Sequence, residues 1–230
     1  ATALALITVV IFVKEPEQIK PPDQEKQPSL FDNIKALFEH QNKSGILVLL
    51  GILFWFMGFN ALETGLSSFA VFTLGMKAGT ASIYTGLVTI TFILFAVPAG
   101  NFGTRYGRAV IIRAGLIGLS VLMLLGYFFI QNTITFAAVL VLTGIFWAMV
   151  NVNSLPLVYD YGDEKRIGAF TGLYYFSSQF AAILGPTLGG ILVDMMGNQY
   201  RWLWLFATVL MAAALAVMFG VKRGEATQAN

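Results

Sequence analysis

Apolar residues run along this chain in long blocks, separated by short polar clusters. A transmembrane helix needs roughly 20 mostly apolar residues to cross about 30 Å of hydrocarbon. Six blocks meet that length, at about 46–72, 82–100, 109–130, 134–157, 167–193 and 202–221. The pattern predicts an all-α membrane protein with six transmembrane helices. A seventh block, Ala1–Val13, is too short to span and has neither a starting Met nor a basic leader, so a signal peptide is not the expected reading. It reads as the end of a preceding transmembrane helix, which makes the sequence the C-terminal part of a longer protein. The expected organisation is this helix end at 1–13, a linker at 14–44, a six-helix bundle at 45–221 and a tail at 222–230.

The six spans differ in polarity. The third has only Ser120 and, near its start, Arg113; the sixth has only Thr208. Both are apolar all round, as supports facing lipid should be. The other four carry polar residues at helical spacing: Asn60, Glu63, Thr64 and Ser67 in the first, and Thr85 and Thr89 in the second, with Tyr84 and Thr91 nearby. Trp147, Asn151 and Ser154 share a face of the fourth with Asn153 beside it, and Tyr175 and Gln179 share a face of the fifth. Polar groups in hydrocarbon are costly unless satisfied, so these stripes should face protein or water. Glu63 is the one acid well inside a span. An isolated carboxylate is expensive there as an anion, which makes Glu63 a candidate proton carrier, a partner for a cation or a hydrogen-bond acceptor for a polar ligand. The plainer alternative puts it in water at the outer mouth, since it lies about 27 Å along the helix from Gly45.

Composition sharpens this picture. Charged residues are 11% and hydrophobic residues 57% of the chain, which excludes an ordinary water-soluble domain, a disordered protein and a nucleic-acid binder. There is no cysteine and one histidine, His40, so no thiolate or multi-histidine metal site is expected, and no metal or cofactor. The chain has no G-x-S-x-G, P-loop or H-E-x-x-H, and no enzyme is expected. Eleven of the 26 charged residues lie between Lys14 and Lys43. With that segment in the cytoplasm, six crossings place 12 Lys and Arg on the cytoplasmic side and two, Lys77 and Arg201, outside. The positive-inside rule therefore predicts a plasma (inner) membrane protein with its linker and C-terminus in the cytoplasm. Within the linker, Leu30, Phe31, Ile34, Leu37 and Phe38 recur at helical spacing, which predicts an amphipathic helix at about 29–42 on the membrane surface.

Two glycine-rich segments carry a more specific signal. The loop expected after the second span reads Gly100-Asn-Phe-Gly-Thr104-Arg105-Tyr-Gly107-Arg108. Its glycines permit tight turns, and its arginines can bond helix C-terminal carbonyls and carboxylates. The segment resembles the G-x-x-x-D-R-x-G-R loop of the major facilitator superfamily, with Thr104 in place of the motif's Asp. The fifth span ends Gly185-Pro186-Thr-Leu-Gly189-Gly190-Ile-Leu-Val-Asp194-Met-Met-Gly197. Aligning Gly190 with Gly100 places Asp194 on Thr104 and Gly197 on Gly107, the echo expected of an inverted three-plus-three repeat. Gly168-x-x-x-Gly172 and Gly185-x-x-x-Gly189 offer two small-residue faces for helix packing.

The resemblance implies helices 7–12, the C-terminal half of a twelve-helix transporter. The run Thr171–Gln179 and the Arg105–Arg108 loop look most similar to the sucrose/glycoside–cation symporter branch. That implies secondary transport of a small polar solute, a sugar or glycoside, coupled to a proton or sodium by alternating access. Asn60, Glu63, Asn151, Tyr175 and Gln179 would meet substrate hydroxyls, with Trp147 as a platform for a sugar ring. Glu63 would couple the cation, and Gly100, Arg105, Gly107 and Arg108 would form a cytoplasmic gate. The implied partners are the solute, the coupling cation, the lipid bilayer and the N-terminal six-helix half, with no nucleic acid. The alternatives are a proton-driven efflux antiporter of amphipathic compounds and a non-transporting membrane receptor or scaffold.

Overall fold

Six helices account for nearly all of residues 44–160 and 167–221, the part of the chain described by the computed structural model: α1 Ser44–Phe72, α2 Ala78–Tyr106, α3 Arg108–Phe129, α4 Thr133–Tyr159, α5 Ile167–Met195 and α6 Trp202–Phe219. No strand occurs among the described residues. All six are long and apolar enough to cross a membrane, and their positions match the six apolar blocks. The expected helix end at 1–13, the amphipathic helix at 29–42 and the tail at 222–230 lie outside the described residues.

The largest difference from the sequence pattern is at the end of α2. The segment expected to be a loop, Gly100–Tyr106, is helical, and Gly107 alone makes the turn into α3, with φ 95°. Hydropathy reports where the chain leaves hydrocarbon, whereas the helix ends where its backbone bonds end. At 29 residues α2 reaches about 44 Å, well beyond the hydrocarbon thickness. Gly197, aligned with Gly107 from sequence, also has positive φ, 67°, and makes the corresponding turn between α5 and α6. At both places a side chain would strain the backbone.

Packing shows the repeat directly. In the first half α1 packs mainly against α5 and α6; in the second, α4 packs mainly against α2 and α3. Exchanging the first three helices with the last three interchanges these contacts, and α3 and α6 pack on each other across the pseudo-axis. The helices therefore follow one another as an arc, α2–α4–α3–α6–α1–α5. Helices meet closely where residues are small, as expected where lipid removes the hydrophobic drive between helices. A Cβ on Gly144 would overlap Thr91 Oγ1 and Val88 O, and one on Gly185 would overlap Met57 O. A Cβ on Gly189 would also abut α1, 3.2 Å from Ala61 Cβ, but at Gly168 and Gly172 it would meet nothing. Of the two small-residue faces expected on α5, only the one at Gly185 and Gly189 packs against a described helix.

The apolar helices α3 and α6 are not bare outer posts. Each keeps one face outward, with Ile117, Val121 and Phe128 exposed on α3 and Val209 on α6. Each is also fastened to the other at both ends. Arg113 of α3 donates from Nε to Met218 O at 3.0 Å and from Nη2 to Val221 O at 2.6 Å. Arg201, before α6, donates from Nη1 to Tyr127 O at 2.7 Å and from Nη2 to Ile130 O at 2.8 Å. Each guanidinium thus caps the carbonyl end of the antiparallel partner helix, whose last carbonyls lack intrahelical donors. Each also lies by an aromatic ring, Phe219 for Arg113 and Phe69 for Arg201, at 5.8 and 5.7 Å from the centroids.

Candidate functional site

The polar stripe of α1 begins earlier than its charged and amide residues suggest. Phe56, Phe59, Asn60 and Glu63 fall at i, i+3, i+4 and i+7, and all four line an open cavity of about 230 Å³ between α1, α2 and α4. α2 contributes Val88, Thr89 and Phe92, and α4 contributes Trp147 and Asn151. One carboxylate, two amides and one hydroxyl therefore meet four aromatic rings. Asn60 Nδ2 donates to Phe56 O at 2.7 Å, which leaves its Oδ1 as the end able to receive a ligand's hydrogen. No ion pair involves Glu63 among the described residues, and it is exposed at the cavity in this half of the fold.

The structure gathers four of the six expected substrate-binding residues, Asn60, Glu63, Trp147 and Asn151. Tyr175 and Gln179 lie on α5 and do not line the cavity. Trp147 is 6% exposed and stacks face to face on Phe59, with centroids 3.8 Å apart and planes 2° apart. Phe56 adds an edge contact to Trp147 at 5.4 Å and 87°. One face of the indole is thus already covered, which leaves little of the sugar platform expected from the sequence. Phe56, Phe59 and Phe92 were legible as helical repeats, Phe56 and Phe59 with Asn60 and Glu63, and Phe92 with Thr85 and Thr89. Aromatic residues at helical spacing resemble any membrane core, which is why the polarity stripes alone passed over them.

At the Gly107 end of the bundle, Arg108 Nη1 donates to Pro156 O at 2.7 Å and to Asp160 Oδ1 at 3.0 Å, tying the start of α3 to the end of α4. Partial burial pushes the Asp160 carboxyl above its ordinary value, and the charge and hydrogen bond of Arg108 pull the other way. Arg105 is exposed, and its guanidinium lies 5.2 Å from the Tyr106 ring centroid. Thr104, standing where the motif has Asp, bonds within its own helix, to Asn101 O at 2.9 Å. Gly100 is helical, and a Cβ there would lie 3.5 Å from Val152 Cγ1, an ordinary contact. Among the described residues no cluster of His, Asp or Glu is placed to hold a metal ion.

Residues 72–230, most of the chain, match the family model of the Major Facilitator Superfamily. The chain belongs to the major facilitator superfamily. Its helices make it an integral, multi-pass membrane protein. It is 27% identical over 146 residues to an uncharacterized MFS-type transporter of Methanocaldococcus jannaschii, an overlap of 61% of this chain and 37% of that protein. It is 30% identical over 155 residues to the multidrug resistance protein MdtG of a Rahnella species, covering 65% of this chain and 37% of that protein. The fold is similar to that of the fucose:proton symporter FucP of E. coli, with a TM-score of 0.74 at 17% identity, over 96% of this chain and 52% of that one. The chain thus spans about half of that transporter and just over a third of the curated relatives.

Proposed function

We propose that this chain is one six-helix half of a secondary transporter that works by alternating access, and that the cavity between α1, α2 and α4 is its share of the solute site. The observation that carries the proposal is the meeting of Glu63, Asn60 and Asn151 with four aromatic rings in that one cavity. Glu63 is the coupling group, since a carboxylate without a cationic partner binds and releases a proton as its surroundings change. The Gly107 end faces the cytoplasm, in keeping with the 12-to-2 split of Lys and Arg. There the Arg108–Asp160 tie, with Gly107 and the flanking Gly100 and Arg105, forms this half's share of the gate.

The lining favours an amphipathic organic solute, exported in exchange for protons. Four rings offer apolar surface and cation–π faces, while the hydrogen-bonding groups are few and one amide end of Asn60 is already engaged. The relatives named as multidrug resistance proteins agree with that choice. Uptake of a sugar or glycoside with a cation is the second reading, supported by Asn151, Thr89 and the free carbonyl of Asn60 beside Trp147. A single experiment separates them. The full-length protein is reconstituted in liposomes under an imposed pH gradient, with ethidium and radiolabelled sucrose as probes. Ethidium moving against the proton flux supports export; sucrose accumulating with protons supports symport; binding without flux of either points to a receptor. Glu63→Gln is expected to abolish the gradient dependence, and unchanged gradient-driven flux would remove Glu63 from the coupling role.

A further inference from the structure

The α4 turn that carries Asn151 into the cavity is intrinsically weak. Pro156 lies inside α4 and has no N–H, so Val152 O loses its intrahelical donor and the ring crowds the preceding turn. α2, packed against it, also contains a proline, Pro98. Two buried polar side chains brace this stretch from opposite flanks. Asn153, 2% exposed, donates from Nδ2 to Ala99 O of α2 at 3.0 Å and to Met149 O of its own helix at 2.9 Å. A Cβ on Gly103 would overlap the Asn153 amide, so the glycine provides the space in which this brace fits. On the other flank Ser154, fully buried, donates from Oγ to Asn151 O at 2.7 Å. That bond engages the one hydrogen of Ser154, so the Tyr174 hydroxyl, 3.1 Å away on α5, donates to Ser154 Oγ. The Tyr174 ring in turn meets Phe56, a cavity wall, edge-on at 6.2 Å and 84°.

We propose that Asn153 and Tyr174 are positioning residues for the solute site: Asn153 by its bond from α4 to α2, and Tyr174 from α5, hold the proline-weakened turn 151–156 of α4, and so fix where Asn151 and Phe56 stand in the cavity. This rests on the reading of that cavity as the solute site, although the bracing itself does not depend on which solute enters.

The absence of cysteine from this chain makes a solute-free test clean. In the full-length transporter, with any cysteine elsewhere replaced, Asn151→Cys and Thr89→Cys are each labelled with a soluble maleimide. Adding Tyr174→Phe or Ser154→Ala should change the labelling rate at Asn151→Cys by about five-fold, the size of one net hydrogen bond, and leave Thr89→Cys within about two-fold. Because Ser154→Ala removes both the bond with Tyr174 and the bond to Asn151 O, adding Tyr174→Phe to it should do no more than Ser154→Ala alone. Tyr174→Phe keeps the ring, so KM for ethidium should rise with the maximal rate and the unfolding temperature held. Equal changes at both cysteines, or none at Asn151→Cys, would overturn the proposal. So would a fall in unfolding temperature with unchanged labelling, which marks a purely structural contact. If ethidium does not move but the labelling shifts as stated, the solute reading fails and the bracing stands.

Discussion

The antiparallel α3/α6 pair and the parallel α2/α4 pair solve the same problem, holding two helices together in lipid, by opposite means. The α3/α6 pair contains no proline; it is closed by apolar packing along its length and by arginines at its two ends. The α2/α4 pair has a proline in each helix, and its cross-links lie inside the span: Asn153 on Ala99 O, and Gly144 against Thr91. The difference follows from what each pair must present. A support can keep its interior uniform and place charge at the membrane faces, where a guanidinium stays partly hydrated. A cavity wall needs polar groups and irregular backbone within the span, and these persist only where protein satisfies them.

The sharpest way to break this comparison is to remove an end cap. Arg201→Ala or Arg113→Ala deletes two charge-assisted bonds to helix-end carbonyls and should cost about 3 kcal/mol, read as a fall in unfolding temperature in detergent. Solute affinity of the surviving protein should be unaltered. If Arg113→Ala costs no more than Arg105→Ala, an exposed position, the caps do not hold the pair. Gly144→Ala should follow at about 2 kcal/mol, because its Cβ meets the α2 backbone, which yields less readily than a side-chain tip. Gly172→Ala, with open space around it, should be neutral or stabilising by about 0.5 kcal/mol in the same assay. Phe59→Ala removes the stack on Trp147 and should weaken ethidium binding by about 1 kcal/mol, with a shift in indole fluorescence reporting the change. The smallest effect is expected at Gln179→Ala, which should change ethidium affinity by less than about two-fold, whereas Asn151→Ala should change it several times more.

Particular residues show why part of the site was legible and part was not. The cavity side of α1 followed from Asn60 and Glu63, because one helical repeat fixes a face. On α5 the same reasoning chose Tyr175 and Gln179, which are exposed in this half of the fold, while the packed face one residue away carries Tyr174 and Ser178, 7% and 6% exposed. Rotating a helix by one residue, about 100°, exchanges one tyrosine for the other. Both are amphipathic, and the packing of α5 on α1, with Tyr174 against Phe56 and Ser154, decides which is buried. The arginine caps were hidden for a related reason. Arg113 and its carbonyl acceptors are 105 and 108 residues apart in sequence, and backbone carbonyls leave no trace in residue types. The charge count alone expected Arg201 to be one of two cations on the outer side; the structure shows it bound to carbonyls at the end of α3.

What the residues determined by themselves was the number of spans and their order; that the turn after α2 falls at Gly107 and not over a loop from Gly100 came only from the structure. In hydrocarbon each segment must satisfy its own backbone, so length and hydropathy suffice to define a helix. Which faces of those helices meet was decided only in three dimensions. Lipid is as apolar as leucine, so no gradient of hydrophobicity distinguishes one side of a span from another, and the choice falls to close contacts at small residues and to hydrogen bonds between distant segments.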